Sequence, residues 1–128
     1  MKNRFVGGWG WRRVLLRPTE RVVKEGACFR KIRFWRWRLG KLFLTNQRLI
    51  WTSSWDFPVS PSTIELQDIL DIGVPDESTV AKVGMPAKWY VRTPDMMHLF
   101  SRFSIYQPFR SDRDEWVQAI RAEMATDD

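Results

Sequence analysis

From residue 20 onward apolar and polar residues alternate in short runs broken by turn residues, and the period changes once, near the C-terminus. That single change constrains the fold most. Two-residue alternation marks strands with one buried face, whereas a 3.6-residue period marks a helix. CFRKIRF (28–34), KLFLT (41–45) and RLIWTS (48–53) read as strands, the last two joined through Asn46-Gln47. A Ser/Pro loop (55–62) precedes two short strands around Asp68 within TIELQDILDIGV, and a Pro/Gly-punctuated loop spans 75–86. KWYVRT (88–93) and MHLFSRF (97–103) form a hairpin across Pro94-Asp95. Over 112–124, Trp116, Val117, Ile120 and Met124 fall on one helical face, with Ser111 as the N-cap and acids in the first turn. The order predicts an α+β domain: a barrel or sandwich of about seven antiparallel strands, capped by one C-terminal amphipathic helix.

Residues 1–19 read as a basic, aromatic extension, interrupted by Gly7, Gly8 and Gly10 and closed by Pro18, with the domain proper over 20–126. The extension's order is open between a free tail and an added edge strand. Its charged start lacks an uninterrupted apolar segment, which argues against a secretory signal and leaves an organellar targeting segment open. No run of about 18 apolar residues is present. The single cysteine rules out an internal disulfide framework and fits a reducing, cytoplasmic setting.

Enzymatic chemistry finds no support. The one histidine, His98, sits among apolar strand neighbours and reads as a half-buried structural residue rather than a base. Cys28 has cations nearby at Arg30 and Lys31, yet reads as a small core residue. Metal-ligand spacing is absent, no cofactor motif is present, and Gly7-Gly8-Trp9-Gly10 lacks the strand–helix context of a phosphate loop.

Charge is sharply divided. Residues 1–48 carry 14 Lys and Arg against 2 acids, and residues 49–128 carry 7 against 13. The asymmetry predicts one anion-seeking face. Its densest point is RKIRFWRWRLGK (30–41), with six cations, three large aromatics and no acid. With Ile32 and Phe34 facing inward, alternation fails at Trp35–Trp37, so the first strand should end near Phe34 and residues 35–39 should form or border a turn.

GKLFLTNQRLIW, with Gly40, Leu42, Leu44, Thr45, Asn46, Arg48, Leu49 and Trp51, resembles the G-x-L-x-L-T-N-x-R-L-x-[FW] core of GRAM domains, which belong to the pleckstrin-homology (PH)-like superfold. TIELQDILDIGV is similar to the family's next strand pair, PTERVVKEG to its lead-in, and Trp116 to the tryptophan that packs its terminal helix. The resemblance covers about residues 18–125 and departs at Thr19, where the lead-in usually has glycine, and in the basic-aromatic density of 30–38. Leu42 and Leu44 share one pleat face, as do Leu49 and Trp51, so these residues read as core.

The resemblance implies a non-enzymatic binding module whose first turn receives the headgroup in members that bind phosphoinositides. Lys31, Arg33, Arg36, Arg38 and Lys41 stand at comparable places, with Trp35 and Trp37 suited to the headgroup–acyl boundary. Cations near an anionic leaflet contribute about 1 kcal/mol each. These seven residues define the candidate lipid-binding site of a cytoplasmic protein held peripherally at a membrane. Three other readings stay open: tryptophans covering the barrel end beneath snorkelling arginines, an acidic protein partner or a strand added at an edge, and single-stranded nucleic acid. Nucleic acid fits least, because no matching motif accompanies it.

Overall fold

The computed structural model describes residues 4–8, 10–33, 36–53, 61–73, 88–102 and 109–125, with side chains outside 32–37, 88, 102 and 109–113. Nine strands and one α-helix are found among them: β1 (Phe5–Gly8), β2 (Trp11–Leu15), β3 (Val22–Arg33), β4 (Arg36–Thr45), β5 (Arg48–Ser53), β6 (Ser62–Glu65), β7 (Asp71–Gly73), β8 (Lys88–Arg92), β9 (Met97–Arg102) and α1 (Phe109–Ala125). A 3-10 turn, Leu66–Asp68, follows β6. Seven strands form one antiparallel sheet in the order β6-β5-β4-β3-β9-β8-β7. The last strand returns to pair with the first long one, so β3 lies near the middle.

The alternating residues meet as their period predicts. Leu42 stands opposite Trp51 and Leu44 opposite Leu49, all buried in one core with Trp89, Val91 and Phe100. Trp116, Val117 and Ile120 bring α1 onto that core, and Trp116 stacks 6.1 Å from Trp89, which itself stacks 4.6 Å from Phe100. Gly40 is required by close approach: a Cβ there would lie 2.3 Å from the Trp51 indole, whose Nε1 donates past it to the Cys28 carbonyl at 3.2 Å. Cys28 is buried and His98 half-buried, as their positions predict.

Three expectations are corrected. The first strand starts at Val22 and not at residue 28, because pairing with Thr45 and Leu44 extends it through the lead-in. The second begins at Arg36, so Arg36–Leu39 belong to a strand rather than a turn. A register shift between Lys31 and Arg33 is the reason: a bulge breaks side-chain alternation without ending the ladder. Ser111 is not the N-cap, since α1 already starts at Phe109. The stronger start signal was Pro108, immediately upstream, because proline suits the beginning of a helix. The strand pair around Asp68 and the 88–102 hairpin match expectation, while the loop segments 54–60 and 74–87 lie outside the described residues.

Residues 5–15 pair with themselves as a two-stranded sheet instead of trailing freely or joining the edge of the large one. Gly7 at φ +92° makes the strands' close approach possible, since a Cβ there would meet the Arg12 carbonyl oxygen at 2.3 Å. Val6 packs on Phe43 and Ile50, whose side chains face away from the main core. β5 is consequently buried along its whole length.

Candidate functional site

The candidate residues are organised by the β3–β4 hairpin. Directly opposed residues share a face. Cys28 opposite Gly40 and Arg30 opposite Arg38 lie on the core side, and Ala27 opposite Lys41, Phe29 opposite Leu39 and Lys31, whose register partner is Trp37, on the outer side. Beyond the bulge the described ladder ends at Arg33 opposite Arg36. The cations therefore converge on one end of one hairpin but divide between its two faces. Lys31 is half-buried and Arg38 exposed. Lys41 is already engaged, 3.2 Å from the Glu25 carboxylate and 5.3 Å above the Phe43 ring. Arg33, Arg36 and Trp37 are placed by backbone register alone, and Trp35 lies outside the described residues.

Arg30, absent from the predicted set, is the most unusual cation here. It is only 8% exposed, its guanidinium stands 5.8 Å from the ring centres of both Trp51 and Phe100, and Nε has no hydrogen-bond partner among the described residues. Burial lowers its pKa. Its Nη2 lies 2.8 Å from His98 Nδ1. Guanidinium can only donate, so Nδ1 accepts, and Nε2 carries the proton that it offers to Thr93 Oγ1 at 3.3 Å. Thr93 Oγ1 in turn donates to the Met96 carbonyl at 3.2 Å. Burial pushes the His98 pKa down to about 4, the Arg30 charge pushes in the same direction, and Asp95 opposes both. The signal for Arg30 was present in the sequence: it stands two residues after Cys28, a predicted core position, on the same face of the strand.

A cleft of 350 Å³ separates the β1–β2 hairpin from the outer face of β3 and β4, lined by Phe5, Trp11, Val22, Glu25, Lys41 and Phe43. Trp11 and Lys41 thus share one wall system, whereas Arg4 turns away to donate to the Arg17 and Pro18 carbonyls at 2.9 Å each. Trp9 lies outside the described residues. Among the described residues no three His, Cys, Asp or Glu side chains gather to hold a metal, and no helix is long and apolar enough to cross a membrane.

A seven-stranded antiparallel sheet closed by one terminal helix is the PH-like fold, and this chain is a PH-like domain. It superposes on the C-terminal PH domain of human pleckstrin with a TM-score of 0.63 at 20% identity, covering 93% of this chain and 91% of that one. The N-terminal PH domain of human ARAP2 gives 0.61 at 13% identity, covering 80% and 79%. The DH/PH fragment of PDZRHOGEF, solved in complex with human RhoA, gives 0.62 at 13% identity; 84% of this chain matches 30% of that one. The chain belongs to the family of Vacuolar protein sorting protein 36 (Vps36), whose sequence model matches residues 28–92. That span runs from Cys28 through the basic hairpin to Arg92. No curated protein matches the sequence.

Proposed function

We propose that this chain is a non-enzymatic PH-like binding module, with a GRAM-type second hairpin, that docks on anionic membrane lipid of the phosphoinositide type. Lys31, Arg33, Trp35, Arg36, Trp37, Arg38 and Lys41 form the docking set, at a cytoplasmic membrane surface. The observation that carries this reading is the convergence of four cations at the end of the β3–β4 ladder, where Lys31, Arg33, Arg36 and Arg38 occupy adjoining register positions. Cations gathered at one strand end raise the local positive potential, and arginine forks match phosphate oxygens. Lys41, held by Glu25, contributes at the flank.

The test is co-sedimentation with phosphatidylcholine vesicles, with and without anionic lipid, at low and physiological salt. Wild type should bind only the anionic vesicles and release as salt rises. Trp35→Ala combined with Trp37→Ala should lose binding even at low salt. Indifference to lipid charge would overturn the proposal and redirect attention to the second reading, a protein-interaction scaffold. That alternative is favoured by β6, which forms one edge of the large sheet and can accept a partner strand, and by exposed Leu70, Met96 and Met97 near the opposite edge.

A further inference from the structure

We propose that Arg30 is an anion-contacting residue of the same hairpin, and that anion binding there is coupled to protonation of His98, so that docking strengthens as pH falls. This rests on the reading that the hairpin meets an anionic surface. Two features of the geometry lead to it.

Arg30 is a buried cation with no counter-charge among the described residues: there it meets two aromatic faces and a neutral imidazole, and no ion pair. A buried charge is unfavourable unless it is paired, so an arriving anion gains more there than at a solvated lysine. Arg38, which is exposed, stands directly across the ladder from Arg30.

The second feature is the contact that now occupies Arg30. Nη2 donates to His98 Nδ1, a bond available only while that nitrogen is unprotonated. Protonation places two donors face to face and breaks it. The guanidinium is then released toward a ligand, and the imidazolium adds a second positive charge beside it. An anion at Arg30 cancels the charge that disfavours imidazolium, which raises the His98 pKa. Reciprocity requires that protonated His98 strengthen anion binding by the same factor.

Among the described residues, the other charges around His98 are Asp95 in the β8–β9 turn, and Glu65 and Asp68 from β6 and the 3-10 turn, which share with it a 380 Å³ cavity. Asp95 favours imidazolium, and Glu65 is drawn to Arg17 at 2.8 Å. Arg30 is therefore the cation whose neutralisation moves the equilibrium. Glu20, the buried acid, titrates near 2, below the pH range in question.

Two measurements on the full chain test the coupling. The chain has one histidine, so its ring proton resonance is unambiguous by NMR. Sulfate, which does not itself titrate in the relevant range, should raise the His98 midpoint by about one unit, and that rise corresponds to about threefold tighter binding at about pH 4.5 than at about pH 6.5. In Arg30→Gln the midpoint should start higher without sulfate and no longer respond to it. Docking on vesicles of phosphatidylcholine and phosphatidylglycerol is then compared at the two pH values for wild type and His98→Gln. The acid gain should be about threefold larger in wild type, since general titration of surface carboxylates acts on both proteins.

An equal gain in both proteins with an unmoved His98 midpoint overturns the coupling and leaves docking intact. A sulfate-sensitive midpoint without vesicle binding at either pH overturns the docking proposal and keeps the anion site. Failure of both overturns both.

Discussion

Arg48 holds Glu20 with two hydrogen bonds, Nε to Oε2 at 2.8 Å and Nη2 to Oε1 at 3.0 Å, in a place where the glutamate is wholly buried. Nη2 also donates to the Leu15 carbonyl at 2.8 Å, so one guanidinium joins the end of the N-terminal hairpin to the β4–β5 turn. Thr45 Oγ1 lies 2.6 Å from Glu20 Oε2, and the Arg17 amide donates to Oε1 at 3.0 Å. The T-N-x-R part of the hairpin motif is thus the receptor for a buried carboxylate in the lead-in segment.

Removing the carboxylate should leave Arg48 buried without its counter-charge. Glu20→Gln is expected to cost about 3 kcal/mol of stability in urea unfolding. Adding Arg48→Met should recover part of that loss, because the unpaired cation is removed as well. A double variant less stable than the sum of the singles would contradict this account.

Acid should weaken the fold in two successive windows. His98, depressed to about 4 in the folded state, is more readily protonated when unfolded, where it titrates near 6.5. Its contribution is complete above the unfolded value and declines as pH falls toward about 4. Burial alone would raise Glu20, but hydrogen bonds from Arg48, Thr45 and the Arg17 amide hold it at about 2, so its contribution is lost from the ordinary value of 4.5 downward. Unfolding free energy measured against pH should show both slopes, with His98→Gln abolishing the upper one.

Gly40→Ala should be more damaging than Gly10→Ala. A methyl group at 40 meets the Trp51 ring at 2.3 Å and the Thr52 carbonyl oxygen at 2.5 Å, whereas one at 10 meets nothing within 4 Å but must hold φ +98°. We expect a loss of about 2 to 3 kcal/mol for the first, by overpacking, and about 1 kcal/mol for the second, by backbone strain. Thermal melts of the two variants give the comparison.

The N-terminal hairpin should behave as part of the folded unit. Val6→Ala is expected to cost about 1 to 2 kcal/mol by thinning the layer over Phe43 and Ile50. Truncation before Leu16 uncovers both residues and removes the Leu15 carbonyl from Arg48. It should lower the melting temperature and increase binding of a hydrophobic dye.

Strand identity was legible where one face is apolar and the partner is next in sequence, as for Leu42 and Leu44 against Trp51 and Leu49. The helix was legible from Trp116, Val117 and Ile120, although its start was misplaced because a capping residue competes with the proline just upstream. Residues 36–39 were hidden by a bulge, which preserves pairing while it interrupts the alternation from which strands are read.

For the candidate site, the sequence by itself determined the basic-aromatic composition of one hairpin and the concentration of positive charge in the first half of the chain. Both follow from local order and need no partner from elsewhere. Only the tertiary structure decided which cations are already committed. Lys41 meets Glu25 across adjacent strands, Arg48 meets Glu20, and Arg30 turns inward to His98, 68 residues away in the chain. Charges act through space, so their burial and partners emerge only once the strands pair, and for Arg30 only when β9 closes back on β3.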